Sequence, residues 1–85
     1  MTTSMELTDE VRRFVHETFP ASRKAGIGDD DSLLESGIVD SLGILEIVTF
    51  LESRLGITLS DEDVVVENFA SINAIARFAA ERMKS

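Results

Sequence analysis

Between Asp40 and Gly56, the residues Leu42, Ile44, Leu45, Ile47, Val48, Leu51 and Leu55 recur at helical spacing. No other segment is so strongly periodic, and it predicts a helix of about 14 residues, roughly 21 Å long. Gly56 suits the left-handed position that stops a helix, with Ile57 packing back on the last turn. Ile44, Ile47, Val48, Leu51 and Leu55 project as one apolar stripe, and such a helix is stable only where the stripe is covered. The chain has 85 residues and no cysteine. The cover must therefore come from packing within one small core, without disulfides or thiolate metal sites. A single domain over residues 1–85 is expected, with stability on the order of 4–10 kcal/mol.

The remaining segments supply that cover. Leu7, Val11, Phe14, Val15 and Thr18 mark a first helix that must stop at Phe19-Pro20, because the residue before proline is pushed out of the helical region. Its start is either a capping box at Thr3 and Glu6 or a later one at Thr8. From Pro20 to Val39 the chain holds three glycines and the run DDDS. That reads as a long loop, pinned to the core by Leu33, Leu34, Ile38 and Val39. Ser60 and Asp63 form a second capping box with Leu59 and Val64 as its staple, opening a short third helix that ends by Glu67. Ser71 caps a last helix with Ile72, Ile75, Ala76, Ala79 and Met83 on one face, and Arg82 and Lys84 near its end suit the helix dipole. The expected fold is all-α, a four-helix bundle with a long first loop and a short third helix.

Charge narrows the function. The formal balance is −8, and residues 29–67 hold eleven acidic side chains against Arg54 alone, a local −10. Such a field repels nucleic acid and anionic lipid and attracts a basic protein surface. No segment approaches the roughly 20 apolar residues that span a bilayer, and the first residues lack a basic-then-apolar leader. A cytoplasmic protein without membrane insertion is expected, as a monomer.

Catalytic groups are scarce. The sole histidine, His16, is the only base for a nucleophilic serine, so a Ser41, His16, Asp40 triad is the one such arrangement. A lone histidine on a small amphipathic helix is far more often a boundary residue. Aligning Asp29 to Asp40 with a calcium loop puts Leu33 and Leu34 where an oxygen ligand and a glycine are required. The acids at 29–31 and 61–63 read as solvated loop residues. Neither an enzyme nor a metal site is expected.

Ser41 lies in GIVDSLGILE, where loop becomes helix. A serine there commonly caps the backbone. The same position suits a serine bearing a phosphodiester, because unpaired N–H groups and the positive end of the dipole stabilise the new anion. Position alone leaves both readings open. Leu42 projects with Glu46, Thr49 and Ser53 on a face away from the apolar stripe, as an apolar contact beside a polar surface.

The stretch GIVDSLGILEIVTFLE (Gly37 to Glu52), with GITLSDEDV and NFASINAIARF after it, resembles the acyl and peptidyl carrier protein superfamily in the right order over nearly the whole chain. This resemblance implies that Ser41 is the attachment point for 4′-phosphopantetheine, transferred from coenzyme A by a phosphopantetheinyl transferase. The arm brings its own thiol, on which acyl groups ride as thioesters. It also implies partner recognition by Asp40, Leu42, Glu46, Glu62, Val64 and Val65, with one of the two valines facing the core. The spacing of Gly37 from Asp40 and the glycine at Gly43, which takes a side chain away from the arm, are similar to D-alanyl and stand-alone aminoacyl carriers. The implied partners are an adenylating acyl or aminoacyl ligase and downstream acyl-processing enzymes of specialised metabolism. The alternative from another class is a helical interaction module in which Ser41 is only a cap.

Overall fold

A computed structural model describes residues 4–83. Among them are α1 (Ser4–Thr18), α2 (Pro20–Lys24), α3 (Ser41–Arg54), α4 (Val66–Phe69) and α5 (Ile72–Met83), with a 3-10 turn at Asp61–Asp63 and no strand. The three long helices carry the core. Leu7, Val11 and Val15 of α1 are at most 2% exposed, and they pack on α5, where Ile72, Ile75 and Ala79 are fully buried. Ile47, Phe50 and Leu51 of α3 close the same core. Met83, expected on the buried face of the last helix, is exposed.

The boundaries of α3 fall where the apolar period places them. Gly56 has φ +67°, and Ile57, 5% exposed, returns its N–H to the Leu51 carbonyl at 3.1 Å. Helix α1 runs through Thr8, so the later of its two expected starts is wrong. The capping box at Thr3 lies outside the described residues.

Two segments depart from expectation. The long loop opens with α2, in which Pro20 takes the first helical position and its ring pre-sets the backbone. Ser22 on α2 is fully buried and bonds His16 Nδ1 of α1 at 2.7 Å, tying the two helices together. The third helix is not one element. After the 3-10 turn the chain is extended at Val65 before α4 begins. Consecutive β-branched residues favour that break. Neither Val64 nor Val65 faces the core, contrary to expectation, since both are 39% exposed. The inward residues there are Asp63 and the fully buried Phe69.

Asp63 explains this inversion. Its carboxylate accepts from the Ser60 backbone N–H at 3.0 Å, closing the expected capping box, and it pairs with Arg82 of α5. Arg82, read from sequence as a dipole complement, thus clamps the turn to α5 while lying over the Phe78 ring.

The acidic run in the loop is also structural. The Asp29 carboxylate binds the Arg12 guanidinium through two hydrogen bonds, at 2.8 and 2.6 Å. Asn73 donates its backbone N–H to the Asp29 carbonyl and its side-chain amide to Asp30. Asp31 accepts from the Gly28 N–H. Asp30 and Asp31 stay exposed, as expected, but through Asp29 and Asp30 the run also forms a latch joining the loop to α1 and α5.

Gly43 on α3 is buried, and a Cβ there would lie 2.9 Å from the Phe19 ring and 3.0 Å from a Val39 methyl. It was expected to clear space near the arm. Its missing side chain instead admits Phe19 and Val39 against α3. Gly43→Ala should lower stability by about 1 kcal/mol, an overpacking cost of about 1–3 kcal/mol set against a helix-propensity gain of about 1. A thermal melt reads this as a Tm lower by roughly 4–8 °C. An unchanged or raised Tm would show that Phe19 moves aside freely.

Candidate functional site

The first turn of α3 is built by Asp40. Its backbone is extended (φ −110°, ψ −166°), its carboxylate accepts the Gly43 N–H at 2.9 Å, and its carbonyl takes the Ile44 N–H at 2.9 Å. Asp40 is therefore the helix cap. Ser41 is the first residue inside the helix, which corrects the reading of it as the capping residue. Its side chain is exposed at the end where the helix dipole is positive.

Val39 and Leu33 hold this turn from beneath. Both are sealed in the core, the Val39 N–H bonds the Leu33 carbonyl at 3.1 Å, and the Leu33 N–H bonds the Ala70 carbonyl at 2.8 Å. The loop thus delivers Asp40 and Ser41 from a fixed base.

Leu42 is 73% exposed, as its position on the polar face predicts, and Glu46 lies one turn further on the same face. Leu45 is also exposed, at 59%. Sequence projection missed it, although its spacing from Leu42 and Thr49 placed it between them. Glu62, Val64 and Val65 are exposed around the 3-10 turn, and Val66, not singled out from sequence, is exposed at 62%. The residues expected to serve recognition therefore lie in two exposed groups, one on α3 beside Ser41 and one between Asp61 and Val66.

The catalytic triad does not form around Ser41. His16 is engaged with Ser22, and the Asp40 carboxylate with Gly43. The shifted carboxylates belong to the scaffold. Arg12 holds the Asp29 carboxyl below the usual range, and the Ser60 backbone N–H, with Arg82, does the same for Asp63.

An exposed hydroxyl at the first helical position, with the capping role filled by its neighbour, fits a phosphodiester-linked group. Asp40 takes the Gly43 N–H, and the N–H groups ahead of it, which have no intrahelical partner, face an anion placed there. Comparison with known proteins agrees in class: the chain matches the phosphopantetheine attachment site family over residues 9–79. It is also 35% identical over 54 residues to a D-alanyl carrier protein of Streptococcus suis (strain 98HAH33), a match covering 64% of this chain and 68% of that protein.

Proposed function

The chain belongs to the phosphopantetheine attachment site family, and from that premise we propose that Ser41 carries the 4′-phosphopantetheine of a stand-alone carrier for aminoacyl or small acyl groups. It is a carrier protein and not itself catalytic. The observation that carries the Ser41 assignment is the division of labour at the start of α3, where Asp40 caps the helix and the neighbouring hydroxyl stays exposed.

Once attached, the group supplies a thiol that holds the cargo as a thioester. The protein's own residues do the rest. Asp40 keeps the first turn of α3 formed, and its dipole end favours the diester charge on Ser41. Leu42 and Glu46 present an apolar and an acidic contact to the transferase and ligase, while Glu62, Val64 and Val65 offer a second contact from the 3-10 turn. The local excess of acid favours partners with basic faces.

The aminoacyl version rests on the similarity to a D-alanyl carrier protein and on the Gly37-to-Gly43 pattern. We place the protein in the cytoplasm, in specialised metabolism, as one monomeric domain. No described helix is long and apolar enough to cross a membrane. The modified protein should be loaded by an adenylating amino acid ligase when offered a panel of purified adenylating enzymes and acyl transferases. Acceptance of malonyl or fatty acyl groups alone would overturn the aminoacyl assignment.

A further inference from the structure

The bonds around the 3-10 turn converge on Asp63. Its carboxylate accepts from the Ser60 N–H at 3.0 Å and the Ser60 hydroxyl at 3.2 Å, and it pairs with Arg82 of α5. Its carbonyl accepts the Asn68 side-chain amide at 2.7 Å and the Val65 N–H at 3.0 Å. Glu62, Val64, Val65 and Val66, all exposed, stand around this one buried residue. Between the turn and the end of α5 lies an open hollow of about 640 Å³, lined in part by Leu55, Leu59 and Met83. Asp63 and Arg82 both line it, so the ion pair ties the turn to α5 where packed side chains do not. Arg82 is itself braced, its guanidinium lying 5.4 Å from the centroid of the Phe78 ring, which is buried.

We propose that Arg82 is a positioning residue for docking of the phosphopantetheinyl transferase. By holding Asp63, it fixes where Glu62, Val64 and Val65 stand relative to Leu42 and Glu46 on α3. The inference rests on the reading of the turn as a second docking contact. A partner that grips two separated groups gains most when their spacing is set before it arrives, because ordering a loose segment on binding is paid out of affinity. Arg82 thus adds affinity without touching the partner. The start of α3 is capped separately, by Asp40 on the Gly43 N–H, so loss of the pair leaves the transfer step at Ser41 unchanged.

Steady-state transfer from coenzyme A by a broad-specificity phosphopantetheinyl transferase, followed by intact mass, tests this. Arg82→Met keeps an apolar stem against Phe78 and removes the charge. Asp63→Asn keeps an acceptor for Ser60 and weakens the pair from the other side. Each variant, assayed well below its melting temperature, should raise the KM for the carrier about three- to tenfold with kcat unchanged, the pattern of binding lost equally from ground and transition states. In a carrier whose second contact is already removed by Glu62→Gln and Val65→Ser, Arg82→Met should add nothing further. An unchanged KM in both Arg82→Met and Asp63→Asn would overturn the inference. So would an equal further rise in the carrier without the second contact, which would make Arg82 a residue of stability alone. The Glu62→Gln, Val65→Ser carrier separates the parent reading: a KM at the wild-type value removes the second contact and the inference with it, whereas a raised KM there beside unchanged Arg82→Met and Asp63→Asn removes only the role of Arg82. A folded wild type that gains no mass removes the carrier reading of Ser41.

Discussion

Ser41→Ala should stay folded at nearly wild-type stability and gain no mass with coenzyme A, magnesium and a broad-specificity phosphopantetheinyl transferase, while the wild type gains one phosphopantetheine. Both halves of this result follow from the start of α3. The cap is the Asp40 carboxylate on the Gly43 N–H, so removing the Ser41 hydroxyl breaks no capping bond. Alanine is also the best helix former at an exposed helical position, and the stability change should lie within about 0.5 kcal/mol. Asp40→Ala is the contrasting arm, since loss of a cap costs about 0.5–2 kcal/mol. Had Ser41 been the cap, the two substitutions would exchange their effects. Chemical denaturation and intact mass on the same samples separate the outcomes. A Ser41→Ala protein that still gains the group places the attachment elsewhere, and a folded wild type that gains nothing removes the carrier reading of this serine.

The interaction-module alternative had Ser41 only as a cap, and the structure gives that role to its neighbour. An aspartate, a serine and a helix start were visible in the sequence, but which of two adjacent capping residues takes the N–H depends on backbone angles that composition does not specify. Helix α3 was legible to its last turn, because its apolar stripe and Gly56 are local signals. The third helix was legible only at its capping box. Asp63 was expected to serve that box from the surface, but it is buried and pairs with Arg82, 19 residues away in sequence. The latch around Asp29 and Asp30 was hidden for the same reason. Its partners Arg12 and Asn73 lie 17 and 43 residues off, and an acidic run beside glycines reads locally as solvated loop. Gly43 was singled out correctly as a position where a side chain matters, but assigned to the wrong side of the helix. The period that places Ile47 in the core also turns Gly43 inward, one turn earlier.

Leu33→Ala should be the most damaging loop substitution, lowering stability by about 3–5 kcal/mol, the range for a fully buried leucine whose site cannot collapse. Leu33 is fully sealed although it stands in a loop, where neighbouring helices cannot slide inward to fill the space it leaves. Its backbone is committed on both sides, to the Ala70 carbonyl and to the Val39 N–H, which holds the cavity open. Against a total of about 4–10 kcal/mol for a domain of this size, the loss consumes much of the folding free energy. The urea midpoint should fall by about 1–5 M, given slopes of about 1–3 kcal/mol per M for small proteins. Leu34→Ala, at a half-buried neighbour, should cost clearly less. The difference bears on function because Leu33 supports Val39, and Val39 supports Asp40 and Ser41. In Leu33→Ala below its midpoint, the turn presenting Ser41 loses its base, and transfer of phosphopantetheine should slow although Ser41, Asp40 and Leu42 are intact. A midpoint within 1 M of wild type would mean that the loop repacks readily, and that the latch at Asp29 and Asp30, rather than the buried leucine, fixes the attachment turn.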